Sequence, residues 1–273
     1  MSITFSKIVG TGNDFLFVDA RAEISLPASR ESLAKRVCDR HFGVGADGLV
    51  FVENGRDGAE LRWDFYNNDG SHAEMCGNAS RCMGRWAQLK LGLSKVTFDT
   101  AAGRVQTRVD GSDIAADIRY LKIQFEELEF DLHGTRKKAT FVNTGVPHAV
   151  FEVPDIRLAA DARDEIKALR FHPGVGARGT NVTFLQMEGA DRFSTVTFER
   201  GVEDFTLSCG TGVMAAAAVG IRKRANATEG GTAKLSTPGG LLEVSYGQNW
   251  SGAVLKGPAK FLFDLALSEE FLR

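Results

Sequence analysis

The chain has 273 residues, 43% hydrophobic and 25% charged, with a formal net charge of −2. That length buries a full core and suits two domains of ordinary size better than one. The near-neutral charge, with a pI of about 6.2, excludes a global attraction to nucleic acid or to an anionic membrane surface, so the expected partner is a small molecule.

In chain order, "MSITFSKIVG" lacks the apolar core of a signal peptide, and no later run approaches the ~20 apolar residues of a bilayer span. The expected location is the cytoplasm, where Cys38, Cys76, Cys82 and Cys209 read as reduced thiols rather than a disulfide framework. "FLFVDA" (15–20) predicts a strand, and "ESLAKRVCDRH" (31–41) predicts a helix with Leu33, Val37 and Cys38 on its buried stripe and Gly43 as its stop. "CDRH" (38–41) has no second pair at ligand spacing, so no metal is expected. "GVGADG" (43–48) matches G-x-G-x-x-G, but the strand-like "GLVFVE" (48–53) follows in place of a helix, and the dinucleotide reading fails on context. After the strand "LRWDFY" (61–66) comes "AEMCGNASRC" (73–82), a cysteine set in a Gly-Asn turn, with a helix predicted from Ser80 to Leu91 and stopping at Gly92. The domain joint is expected near 115–130, within a stretch that has no counterpart signal. "TLSCGTGVMA" (206–215) then repeats the cysteine turn, followed by an alanine-rich helix from Gly212 to about Asn226, small-sided all round and so expected to be enclosed by sheet.

The two turns belong to a larger repeat. At an offset of 133, Cys76 falls on Cys209, Gly77 on Gly210, and Gly12 on Gly145; "GADGLVFVE" (45–53) falls on "RGTNVTFLQ" (178–186), and "LRWDFYNNDG" (61–70) on "STVTFERGVE" (194–203). "TFDTAAGRVQTRV" (97–109) and "KLSTPGGLLEVSY" (234–246) echo each other a few residues out of step, as loop-length drift would produce. The expected organisation is two copies of one domain, each with strands round a central helix, and an approximate twofold relation between them would set a ligand in the cleft between the copies. The first copy is expected over 1–122, with the tail 265–273 packed on it, and the second over 123–264.

A cysteine at a helix N-terminus meets unpaired N–H groups and the positive end of the dipole, which favour a thiolate and also seat a carboxylate. Two such thiols on opposite faces of a carbon can remove a proton from one side and deliver one to the other, inverting a stereocentre without a cofactor. The carbanion needs preorganised donors on the carboxylate, which Gly77, Asn78, Gly210 and Thr211 supply. Cys38 and Cys82 read as packing. His148, opposite the "TGNDF" block, and Glu199–Arg200, just before the second cysteine turn, are placed to assist and to grip a zwitterion.

Together these segments resemble diaminopimelate epimerase. "KIVGTGNDF", "GVGADGL", "NNDGSHAEMCGNASRC", "VNTGVPH", "GTNVTF", "FERGV" and "SCGTG" come in that family's order across nearly the whole chain. The resemblance implies an α+β fold of two pseudo-symmetric domains, each an antiparallel sheet wrapped round a central helix, with the active site between them; it implies a cofactor-independent isomerase, possessing neither cofactor nor metal, that interconverts LL- and meso-diaminopimelate, and it implies a homodimer. It implies Cys76 and Cys209 as acid and base, with His148 and Glu199 assisting. Asn13, Asn67, Asn181, Glu199 and Arg200 then stand as substrate contacts, and Gly77, Asn78, Gly210 and Thr211 as carboxylate-holding loops. The chain departs from the family's pattern at Val146, where many members have asparagine, at Gly48, at Ala79 and at Phe205, with one additional residue in "GVEDFTLSC". Paired cysteines also serve proline racemases, and a redox-sensing binding protein is the alternative from another class; the polar set at Asn67, Asn181, Glu199 and Arg200 favours the epimerase, whose substrate has a second amino-acid end.

Overall fold

The computed structural model describes residues 3–26, 28–224 and 230–272. The chain divides into two compact units, Met1–Asp117 with Gly257–Arg273, and Ile118–Lys256.

In the first unit β1 (Thr4–Gly10) and β2 (Asn13–Asp19) form a hairpin. Its turn is Thr11-Gly12, with Gly12 at φ 93°, a conformation closed to side chains with a Cβ. Helix α1 (Arg30–Cys38) starts where Ser29 accepts from the Ser32 amide at 3.3 Å, and carries Lys35 and Arg36 in its last turn, where cations suit the dipole. It ends before the expected His41, because the Asp39 carboxylate accepts from the His41 and Phe42 amides and turns the chain. Strands β3 (Gly48–Asn54) and β4 (Leu61–Asn67) follow as expected. Helix α2 (Gly77–Leu91) starts ahead of the expected Ser80 and ends at Gly92, which adopts the left-handed conformation at φ 70°. Then come β5 (Lys95–Asp99), β6 (Arg104–Asp110) and β7 (Asp113–Lys122), within which the chain passes at Ile118 into the second unit.

The second unit repeats this plan with β8 (Phe125–Leu132), β9 (Thr135–Asn143), β10 (Pro147–Glu152), α3 (Arg163–Arg170), β11 (Asn181–Met187) and β12 (Arg192–Glu199). A short β13 (Asp204–Thr206) precedes α4 (Gly210–Lys223), β14 (Gly231–Thr237), β15 (Gly240–Tyr246) and β16 (Ser251–Pro258). Residues 225–229, the expected end of the second central helix at Asn226 among them, lie outside the described residues. Strand β17 (Lys260–Ala266) then pairs antiparallel with β1, and α5 (Glu269–Leu272) follows. Residues 257–264, expected with the second copy, therefore group with the first unit; β1 is the long-range partner that draws them there. Leu265, Leu267 and Phe271 pack on the core of Phe5, Leu33 and Val37.

The α+β class holds, but the sheets are mixed rather than purely antiparallel. β2 runs parallel to β3 and β4 to β5, and the second unit has the same two parallel pairs, β10 with β11 and β12 with β14. Parallel neighbours need a crossover, and α2 and α4 are the crossovers that return the chain between β4 and β5 and between β12 and β14. The helix behind each cysteine is thus the crossover connection of its sheet.

Registers repeat as well. Phe15 faces Gly48, and His148 faces Asn181 at the same offset that relates the two cysteines. Phe98 faces Val105 and Leu235 faces Leu242, a match that lies slightly beyond that offset and accounts for the out-of-step echo. Leu49 faces Tyr66, whereas Val182 faces Phe198, which falls one position short of the offset from Tyr66. The counterpart of Asn67 is therefore Glu199 rather than Arg200, and the additional residue before Cys209 falls after β12.

Both central helices are buried. α2 packs on β1, β2, β5 and β6 and buries Cys82, Met83, Trp86 and Ala87. α4 is buried from Gly210 through Ile221 and touches β9, β10, β11, β12, β14 and β15. Its small residues are required by this closeness: a Cβ on Gly212 would stand 2.2 Å from Thr197 Oγ1, and one on Gly220 2.4 Å from the Phe193 ring.

Candidate active site

Cys76 and Cys209 are the N-cap residues of α2 and α4, both with extended backbone, and the sulfur of neither caps its own helix. The first-turn amides of a helix have no carbonyl partner within it, so Gly77 and Asn78, and Gly210 and Thr211, present N–H groups at the positive end of a buried dipole. Cys76 is half-buried and Cys209 is 7% exposed. Burial pushes the Cys38 thiol up to about 12 and Cys82 higher still, so neither ionises near neutrality.

In the first unit the turn is held from inside. Asn78 is fully buried and its Nδ2 donates to Asn13 Oδ1, while Asn78 Oδ1 accepts from Thr11 Oγ1 at 3.3 Å and from Arg81 Nη2 at 2.8 Å. Arg81 Nη2 also donates to Thr11 Oγ1 at 2.7 Å, and Nη1 to the Gly77 carbonyl at 3.2 Å. Asn13 in turn donates to Asp47 Oδ2 at 2.9 Å, next to the ion pairs of Arg40 with Asp14 and Asp47. Asn13, Asn78, Gly77 and Cys76 thus form one connected group. Asn67 lies apart from this network of bonds: it ends β4 opposite Gly48, and its Nδ2 donates to Ser71 Oγ at 2.9 Å.

In the second unit the corresponding group is built round a histidine. His148 is fully buried; its Nε2 lies 2.9 Å from Thr211 Oγ1 and its Nδ1 2.9 Å from Thr183 Oγ1, which is 3.1 Å from Thr197 Oγ1. Thr211 Oγ1 is 3.3 Å from Cys209 Sγ. Burial holds the imidazole neutral, pushing its pKa down to about 3, with the Arg200 charge adding to the effect. Asn181 Nδ2 donates to the Pro147 carbonyl at 3.2 Å and lies 3.3 Å from His148 Nε2, while Asn181 Oδ1 accepts from the Arg200 amide at 2.7 Å. Arg200 Nη1 donates to the Gly179 carbonyl at 3.2 Å. Glu199 ends β12 beside Arg200, its carbonyl accepting from the Glu203 amide at 2.8 Å. His148, Thr211, Cys209, Asn181 and Arg200 are therefore brought together by β10, β11, β12 and the start of α4.

Thr11, Thr144, Thr183 and Arg81 escape sequence reasoning. For the first two a signal existed: both precede the glycine of a repeated Thr-Gly turn, and at the offset of 133 Thr144 Oγ1 donates to the Thr211 carbonyl at 3.1 Å as Thr11 donates to Asn78. Thr183 and Arg81 carried none, since a strand threonine and a helix arginine are commonplace. Among the described residues no three metal-ligating side chains converge, and no helix is long and apolar enough to cross a membrane.

The chain is similar to known proteins in both sequence and fold. A sequence model of the diaminopimelate epimerase family matches residues 5–120 and 140–262. The diaminopimelate epimerase of Flavobacterium psychrophilum is 35% identical over 96% of this chain and 98% of its own, and that of Aquifex aeolicus is 36% identical over 98% and 99%. Solved structures share the fold at low identity: a hydroxyproline epimerase from Agrobacterium vitis has a TM-score of 0.71 at 13% identity, covering 97% of this chain and 93% of its own. A phenazine biosynthesis protein of the PhzF family from Enterococcus faecalis has 0.67 at 14%, covering 98% and 100%. With the family's sequence model spanning both units and its relatives matching over nearly their whole length, the chain belongs to the diaminopimelate epimerase family of isomerases.

Proposed function

We propose that this isomerase interconverts LL- and meso-diaminopimelate by a two-base reaction in which Cys76 and Cys209 act on opposite faces of one Cα. The observation that carries the reading is the recurrence, in two units of equal topology, of a cysteine at the N-cap of the central helix. One sulfur takes the Cα proton as a thiolate, and the other, as a thiol, delivers a proton to the opposite face; the return reaction exchanges the roles. The substrate carboxylate at this centre sits on the amides of Gly77, Asn78, Gly210 and Thr211, which stabilise the charge that spreads onto it in the carbanion. Because the Asn78 side chain is committed to Asn13, Thr11 and Arg81, its amide N–H is the group it offers to substrate. Asn67, Asn181, Glu199 and Arg200 hold the distal amino-acid end, where Val146 in place of asparagine withdraws one amide from the set, and Asn13 contacts substrate beside the Cys76 turn.

His148 assists through Thr211. With its proton on Nδ1 the neutral ring donates to Thr183 and accepts from the Thr211 hydroxyl, which accepts from the Cys209 thiol; once that thiol proton has gone to the substrate Cα, the Thr211 hydroxyl turns to donate to the Cys209 thiolate and the Asn181 amide takes its place at Nε2, the ring keeping its one proton on Nδ1. The ring stays uncharged in both states, as its burial demands. Glu199 acts beside Arg200 in the same strand end. The thiol chemistry requires a reducing compartment, so the enzyme works in the cytoplasm, as a homodimer in keeping with its family.

The test is proton NMR of LL-diaminopimelate with reduced enzyme in D₂O, beside Cys76→Ala and Cys209→Ala. Loss of the Cα–H signal with appearance of the meso isomer, abolished or severely impaired by either substitution, supports the reading. Undiminished epimerisation by either folded variant overturns the two-base mechanism.

A further inference from the structure

Arg81 has no place in the reaction as described, yet it is 0% exposed in the second turn of α2, one turn beyond Cys76. Its acceptors are a carbonyl (Gly77), a hydroxyl (Thr11) and an amide oxygen (Asn78), all uncharged, and its Nε has no hydrogen-bond partner. A buried cation without a hydrogen-bonded carboxylate is costly, and an all-neutral set of acceptors leaves its field directed outward rather than cancelled. The carboxylates on neighbouring elements are engaged elsewhere: Asp14 of β2 with Lys7 and Arg40, Asp99 of β5 with Arg104, and Asp264 of β17 with Lys90. The ionisable groups that act on Arg81 are Cys82 and Cys76 of its own helix and Asp113 of β7. Cys82 is buried, neutral and further influenced by Asp14 and Arg85. Burial lowers the Arg81 pKa only to about 10, so the guanidinium remains charged near neutrality.

The second copy has no such charge in its central helix; the cation that acts on its buried polar group is Arg200, half-buried just after β12 and next to Glu199. At the offset of 133 Arg81 falls on Met214, fully buried in α4, and the polar group beneath the Cys209 turn is the neutral His148. The duplication has preserved the two turns and placed a fully buried cation in the helix behind only one of them.

We infer that Arg81 is a positioning residue for Cys76, bracing the turn through Gly77, Asn78 and Thr11 while its buried charge favours the Cys76 thiolate, so that the resting enzyme carries thiolate at Cys76 and thiol at Cys209. The inference rests on the two-base reading for its catalytic meaning, but thiol ionisation can be measured without turnover. A single starting protonation state makes the enzyme ready for one isomer, and the other requires a proton to be exchanged first.

The experiment measures the pH dependence of iodoacetamide alkylation at each cysteine separately, by peptide mass spectrometry, in the full-length reduced protein without substrate. In the wild type the Cys76 midpoint is expected below that of Cys209 and below the ~8.5 of an ordinary cysteine. Arg81→Met is expected to raise the Cys76 midpoint by about one pH unit or more and leave Cys209 in place, and Arg81→Lys to restore it. A wild-type Cys76 midpoint at or above that of Cys209 overturns the inference even if Arg81→Met fails to fold, and so does an unmoved Cys76 midpoint in folded Arg81→Met. Failure of diaminopimelate turnover would count against the proposed function and leave these midpoints readable.

Discussion

His148 reaches Cys209 through a single hydroxyl: Thr211 Oγ1 lies 2.9 Å from the ring Nε2 and 3.3 Å from the sulfur. That hydroxyl belongs to the second residue of the helix whose N-cap is Cys209, so the residue whose amide is proposed to seat the substrate also hydrogen-bonds the sulfur.

Removing it separates the two functions. Thr211→Val keeps the backbone amide and the shape but breaks the chain from ring to sulfur, and should lower kcat on the order of 10²-fold with a smaller change in KM. Thr211→Ser, which keeps the hydroxyl, should retain most of the rate. Steady-state kinetics with LL-diaminopimelate decide; equal rates for the valine and serine variants would remove Thr211 from proton transfer.

The same histidine makes stability depend on pH. Its folded pKa, about 3, lies below the ordinary 6.5. The unfolded chain therefore binds the additional proton, and stability contributed by the neutral ring is present above pH 6.5 and lost as pH falls toward 3. This one group can add a slope of at most about 1.4 kcal/mol per pH unit in that window. Urea unfolding from pH 7 to pH 4 should show His148→Gln with a shallower decline than the wild type. Parallel curves would mean that the buried ring is not the proton acceptor on unfolding.

The two threonines of the repeated Thr-Gly turns tie each hairpin to its cysteine turn, Thr11 to Asn78 and Thr144 to the Thr211 carbonyl. Each bond is buried, so Thr11→Val and Thr144→Val should each cost about 1 kcal/mol. The sites lie in different units and share no partner, so the double variant should show the sum. Denaturant midpoints at constant m-value would measure this, and a negligible change for both would show that the turns are held by other contacts.

Two glycines of α4 test how closely the sheet surrounds it. Gly212→Ala and Gly220→Ala drive a methyl toward Thr197 Oγ1 and the Phe193 ring and should each cost roughly 1–3 kcal/mol by overpacking, despite the better helix propensity of alanine. Gly189→Ala, with nothing within 4 Å of its Cβ, serves as the neutral control. Thermal denaturation separates the cases; a stabilised Gly220→Ala would show that α4 has room to spare.

The sequence by itself determined what local chemistry expresses. Gly12 and Gly145 occupy φ 93° and 90°, which other residues avoid, so the repeated turn had to be written in glycine. The small-sided run Ala215–Ala218 announced an enclosed helix, and the paired Cys-Gly turns announced two helix starts. Tertiary structure alone decided which groups meet. Thr183 reaches His148 because β11 lies parallel to β10, a long-range pairing of His148 with Asn181 that no local propensity dictates. The departure of 257–264 from the second copy has the same origin: β17 completes a sheet begun by β1 at the opposite end of the chain, and Ser6 Oγ donates to Asp264 at 2.7 Å across that pairing. Arg81 is the furthest case. In the sequence it is one arginine on a helix, and its meaning comes from a burial that only the wrapped sheet imposes, since a guanidinium acts strongly on a nearby thiol only where water is excluded.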